Sequence, residues 1–392
     1  MKRLRVIAVL IAIMITAFDP SRAAARVQLP QPTCARFDGP LCSVSLRTGV
    51  TMRYLDIGPA AGPVTVLLHG FADSVQSWSL VVPTLRRLMP WERLLIPDLR
   101  GHGDTTQPPA TRCAAVPDRC FRPVDYADDV LALLDAEHVA RAAIVGHSVG
   151  TLVAQEIALD HPSRVTRLVL VSTAADGQEP LVEAVQGAIV QGEWQQDFTA
   201  AGYTWPAGVY DLTPAVAVPD FTEFIDEQYD TSAVAPADLL ARVQADAKTV
   251  RLGTWIGTLD NLVIADNSVR LEQLGVPTLV LYAVQDDVFS PNAEQQLISS
   301  LDVAASHGTP FWWKQYGVLP PPDSGEQTDL GHNLPWEAPT GVAVDAATFL
   351  VLGQPTCTLY RTDYPTDIHR VMAIPNKATV IHVGAGPDCL GR

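Results

Sequence analysis

The stretch Gly146-His147-Ser148-Val149-Gly150 constrains this 392-residue chain more than any other. It follows a short apolar run, Ala142-Ala143-Ile144-Val145, and precedes a segment with helical patterning, Thr151 to Ala158. A strand that ends in G-x-S-x-G and turns at once into a helix puts the serine on a sharp, strained corner. Its hydroxyl is then lifted above the edge of a sheet. The flanking glycines leave room where the backbone crowds. Ser148 in this context is read as a nucleophile; without the context the pentapeptide would be weak evidence.

The rest of the chain agrees with that corner. Val64–Leu68, Arg93–Pro97, Val165–Ser172 and Pro277–Tyr282 are further short apolar runs, and Val44–Leu46 with Met52–Asp56 reads as a hairpin. Tyr126–Glu137 has the spacing of an amphipathic helix, apolar at Val130, Leu131, Leu133 and Leu134. Near-continuous apolar strands alternating with helices predict an α/β fold, a doubly wound and mostly parallel sheet covered on both faces. Between residues 174 and 260 the character changes. Trp194, Tyr203, Trp205, Tyr210, Phe221, Phe224, Tyr229 and Trp255 crowd together, Ala237–Val250 has helical periodicity, and no convincing strand appears. This segment is expected to be a helical cap, inserted between a first core part at 26–173 and a second at 261–352. The last core helix is expected at Ala338–Leu352, and 353–392 reads as a small C-terminal extension.

Residues 1–25 are expected to be a signal peptide, outside the fold. Lys2, Arg3 and Arg5 precede the apolar stretch Val6–Ala17, and Ala23-Ala24-Ala25 offers a small-residue cleavage site. The predicted location is therefore secreted or periplasmic, with no membrane segment left after cleavage. Six cysteines fit an oxidising compartment. Sequential pairing is favoured: Cys34–Cys42, Cys113–Cys120 and Cys357–Cys389. No cluster mixes cysteine and histidine at zinc-like spacing, so no metal and no other cofactor is expected. The formal charge is −16, and losing residues 1–25 would make it more negative. Such a surface repels phosphate backbones, which argues against nucleic acid as a partner.

Serine chemistry needs a base to take the hydroxyl proton and a carboxylate to orient that base. In a doubly wound hydrolase they follow in the order serine, acid, histidine. The strand ending at Tyr282 leads into Gln285-Asp286-Asp287-Val288, and of its two aspartates Asp287 is preferred over Asp286 as the acid. His332, just before the last core helix, is the expected base. His147 is expected to point away from Ser148. An oxyanion hole needs two backbone N–H donors; those of Val149 and of Phe71, in His69-Gly70-Phe71, are the candidates, with His69 bracing the loop. Asp98-Leu99-Arg100-Gly101-His102-Gly103 reads as a hydrogen-bonded structural turn.

Taken in order, these pieces resemble the α/β-hydrolase superfamily, and more narrowly its capped branch of esterases, lactonases, carbon–carbon bond hydrolases, epoxide hydrolases and dehalogenases. The resemblance covers roughly residues 44–352. It implies the fold, the triad Ser148–Asp287–His332 and an acyl-enzyme route. Ser148 stands where epoxide hydrolases and dehalogenases of the branch carry aspartate, which argues against both. Two departures are the insertion holding Cys113 and Cys120 and the proline-rich stretch 317–329, both expected at the rim of the active site. The expected activity is hydrolysis of a carboxylic ester or lactone, with a small and apolar substrate as partner. The alternative is a carbon–carbon hydrolase acting on a β-diketone with the same triad; an exopeptidase or a non-catalytic relative is the weaker reading.

Overall fold

A strand buried on both faces needs apolar side chains on both, and the uninterrupted runs of this chain supply them. The computed structural model describes residues 34–229, 235–283, 285–316 and 330–355, together with the backbone of short strands at 360–362, 371–373 and 380–383. The expected signal peptide, the stretch 317–329 and the pair Cys357 and Cys389 lie outside the described residues.

The strands are β1 (Cys42–Ser45), β2 (Thr51–Ile57), β3 (Val64–Leu68), β4 (Arg93–Pro97), β5 (Ala142–His147), β6 (Val165–Val171), β7 (Thr278–Ala283), β8 (Phe311–Tyr316), β9 (Tyr360–Thr362), β10 (Val371–Ala373) and β11 (Val380–Val383). One nine-stranded sheet runs β1-β2-β4-β3-β5-β6-β7-β8-β11, and β9 pairs with β10 apart from it. From β4 through β8 every neighbouring pair is parallel, whereas β1, β2 and β11 add antiparallel edges.

Successive side chains of a strand face opposite ways, and the two cores sort accordingly. Val66, Leu68, Ile144, Leu168, Leu170 and Val280 join one core, under the helices Pro123–Ala136, Val149–Asp160 and Pro291–Ser306. Leu67, Val145, Val169, Val171, Leu279 and Leu281 join the other, under Val82–Leu88 and Pro339–Leu352. Patterning does not single out β8. That strand carries Lys314 in its middle, fully buried and paired with Asp345 of the last core helix at 2.6 Å.

Cap helices Pro180–Gln186, Glu193–Ala200, Phe221–Tyr229, Ala237–Ala247 and Leu252–Leu262 share a third apolar cluster around Trp194, Phe198, Phe221, Ile225, Trp255 and Leu259. The last of them runs past residue 260. Cys34–Cys42 and Cys113–Cys120 are paired, with Cα separations of 5.1 and 6.0 Å. The Cys113–Cys120 insertion, expected at the rim of the active site, is not among the residues that line the cavity. It buttresses the cap: a Cβ on Gly257 would stand 2.5 Å from the Phe121 ring, and Asn261 Nδ2 donates to Asp118 O at 2.6 Å.

The turn after β4 is hydrogen-bonded, as its sequence predicts. Arg100 donates to Asp129 Oδ2 at 2.7 Å and to the carbonyls of Cys120 and Asp125, each at 2.6 Å. Breaking one side of a buried ion pair leaves an uncompensated charge and costs about 3–5 kcal/mol. Arg100→Met is therefore expected to lower the urea midpoint by an amount equivalent to at least about 3 kcal/mol. A smaller loss would show that the pair is not held apart from water. Among the described residues no helix is long and apolar enough to cross a membrane.

Candidate active site

Ser148 sits between the end of β5 and the first residue of the helix Val149–Asp160, with φ 52° and ψ −125°. Few side chains adopt that region without support from their surroundings. The support is close packing that only glycine permits. A Cβ on Gly146 would lie 2.4 Å from Gly150 O, and one on Gly150 would lie 2.6 Å from the carbonyl oxygens of Leu68 and His69. The corner is also held from the far side. Ser148 N–H donates to Val171 O at 3.1 Å, and Thr151 Oγ1 donates to Ser148 O at 2.6 Å.

His332 reaches this corner from a loop ahead of the last core helix. Its Nε2 lies 2.8 Å from Ser148 Oγ. Its Nδ1 lies 2.9 and 3.0 Å from the two carboxylate oxygens of Asp286. The loop is fixed by Gly331 N–H, which donates to Glu337 Oε2 at 2.6 Å, and by the Phe289 ring, 5.3 Å from the imidazole.

The carboxylate that meets His332 is that of Asp286, not of Asp287 as expected. Asp286 Oδ1 also accepts from Val288 N–H at 3.0 Å and Phe289 N–H at 2.9 Å. A carboxylate that bonds the amides two and three residues on folds its loop into an Asx turn. The turn points Asp286 inward and leaves Asp287 exposed, at the edge of the cavity. Burial alone would raise the Asp286 carboxyl. His332 and the two amides outweigh it and hold the group below the ordinary aspartate value. Burial likewise opposes the His332 imidazolium, and Asp286 outweighs it, so His332 is raised.

His147 does not point away. Its ring lines the cavity, and Nε2 lies 3.0 Å from His332 O. Burial pushes it down to about 3, so the ring is neutral and Nε2–H donates to that carbonyl. The nucleophile corner and the histidine loop are thus tied across 185 residues of sequence. No motif signals this contact; it depends on the approach of two loops.

Gly70 and Phe71 stand against the corner, and a Cβ on Gly70 would lie 3.1 Å from Ser148 Cβ. His69 braces their loop: Nδ1–H donates to Gly70 O at 2.7 Å and Nε2 accepts from Leu99 N–H at 2.9 Å. Val149 opens its helix, so its N–H has no carbonyl within that helix to bond. The Phe71 ring meets Trp255 of the cap at 4.8 Å.

In front of Ser148 lies a cavity of about 180 Å³. Its lining includes Phe71 and Val149 from the core and Val182, Phe224, Trp255 and Leu259 from the cap. Such an arrangement can pass a hydroxyl proton to an imidazole that a carboxylate has already oriented, beside a helix N-terminus that favours negative charge.

A family model described as alpha/beta hydrolase fold matches residues 63–308. Among solved structures, an enol-lactonase from Burkholderia xenovorans superposes with a TM-score of 0.57 at 19% identity, covering 79% of this chain and all of that one. A thermophilic esterase from Thermogutta terrifontis gives 0.56 at 17% identity, covering 80% and 99%. By sequence, the chain is 34% identical over 146 residues to the magnesium-chelatase 30 kDa subunit of Rhodobacter capsulatus, a match that spans 37% of this chain and 47% of that protein. The chain spans less than half the length of the curated relatives it matches.

Proposed function

We propose, from the premise that this chain belongs to the alpha/beta-hydrolase family, that it is a serine hydrolase cleaving a carboxylic ester or lactone. The observation that carries the reading is the relay Ser148 Oγ–His332 Nε2 at 2.8 Å and His332 Nδ1–Asp286 at 2.9 Å. Ser148 attacks the acyl carbonyl while His332 takes its proton. The N–H groups of Phe71 and Val149 receive the developing oxyanion, and a single such donor contributes about 3 kcal/mol to lowering a barrier of this kind. His332 then returns the proton to the leaving alkoxide. A water molecule, deprotonated by His332, attacks the acyl-enzyme and releases the acid. Asp286 keeps the imidazole in the tautomer and orientation that both steps need.

Esters and lactones are favoured because an alkoxide leaves more readily than an amine and because the cavity is apolar. The chain is also proposed to work outside the cytoplasm. The basic and apolar N-terminal residues support this, as do the pairs Cys34–Cys42 and Cys113–Cys120, which an oxidising compartment preserves.

The test is a fluorophosphonate probe followed by peptide mass analysis. Stoichiometric labelling of the peptide that holds Ser148, together with hydrolysis of p-nitrophenyl esters, is the expected result. A protein that stays unlabelled, or that labels on another residue, overturns the reading.

A further inference from the structure

The cavity before Ser148 has a size, a wall chemistry and a charge, and together they select a substrate group. This inference rests on the serine-hydrolase reading above. At about 180 Å³ the space is close to the apolar cavity of about 150 Å³ that takes up benzene. By that comparison it has room for one group of about the size of benzene, six carbons. Cap side chains wall one side of it: Leu181, Val182 and Val185 from one helix, Leu259 and Leu262 from another.

The charge is one-sided. Among the described lining residues the carboxylates are Asp73 and Asp287, and no lysine or arginine accompanies them. Asp73 is anchored, because it accepts from Ser74 N–H at 2.8 Å and from Ser77 Oγ. Burial pushes its carboxyl up to about 7. A carboxylate entering this space would lose its hydration, meet no lysine or arginine and stand against the carboxyl groups of Asp73 and Asp287.

We propose that the preferred ester places in this cavity an uncharged group of about six carbons, hexanoyl- or benzoyl-sized, and that Asp73 and Asp287 turn away substrates bearing a carboxylate on that group. Each methylene added up to that length gains contact with the cap, and a full cavity offers nothing to those beyond it. Neither a long-chain lipid nor a dicarboxylate half-ester fits both conditions.

The test is kcat/KM at pH 8 for the p-nitrophenyl esters of acetate, butyrate, hexanoate, decanoate and benzoate. The mono-p-nitrophenyl ester of adipic acid and its methyl ester are added as a pair alike in length and different in charge. The expected profile peaks at hexanoate or benzoate, with decanoate lower by at least about 30-fold and the free adipate half-ester lower than its methyl ester by a similar factor. Leu259→Phe should move the optimum to butyrate. Asp73→Asn should narrow the ratio within the adipate pair, and Asp287→Asn, on an exposed site, should do the same should the first variant fold poorly. A flat profile, a maximum at decanoate, or equal turnover of the adipate pair overturns the proposal. Fluorophosphonate labelling separates the two readings. A protein labelled on Ser148 with a flat profile loses only the subsite, whereas one that does not label loses both.

Discussion

Asp286→Asn is expected to lower kcat by about 10⁴-fold, the size of effect seen when an amide replaces the orienting carboxylate of a serine triad. Asp287→Asn is expected to lower it by less than about tenfold, the scale left for a residue that only lines the site. The difference comes from one residue of register. Asp286 meets Nδ1 of His332 with both oxygens and bonds two backbone amides besides; Asp287 is exposed. An asparagine at 286 can present its NH₂ to Nδ1 and favour the tautomer that no longer accepts the serine proton. The pH profile carries a second readout. His332 must be unprotonated to act, so kcat/KM is present above its pKa and lost as pH falls through it. Asp286 raises that pKa, so the wild-type acid limb should lie above the usual histidine value of about 6.5 and shift downward in Asp286→Asn. Equal losses in the two variants would refute the assignment of the acid.

Ser148→Ala should cost more, about 10⁶-fold in kcat, and abolish fluorophosphonate labelling while leaving the urea midpoint near that of the wild type. The residue's φ of 52° is set by its neighbours. Alanine keeps the Cβ that the corner already accommodates and removes only the oxygen. Residual hydrolysis from substrate binding and the oxyanion donors should stay above the rate in water. A variant that retains more than about a hundredth of wild-type kcat would show that Ser148 is not the nucleophile.

What could be read in the sequence follows from where the determining contacts lie. β3, β5, β6 and β7 are legible because a strand buried on both faces must be apolar throughout, a local property. Ser148 and His332 are legible because each belongs to a short motif with a fixed place relative to a strand or helix. Asp286 is different. Two adjacent aspartates have identical local chemistry, and the choice between them is made by an Asx turn that the sequence does not announce. β8 is missed for a related reason. Phe311–Tyr316 contains Lys314, which reads as solvent-facing until the fold brings Asp345 beneath it. His147 likewise acquires its partner only when the His332 loop arrives. Each of these depends on a contact between residues far apart in the chain.

The ties between cap and core have a consequence for motion. Tyr229 OH donates to Ala72 O at 2.8 Å, Ser74 Oγ donates to Asp246 at 2.5 Å, and Phe71 packs on Trp255. All three join the cap to the very loop that offers the Phe71 N–H. Any displacement of the cap is therefore coupled to this loop, because the three contacts would have to break or carry the loop along.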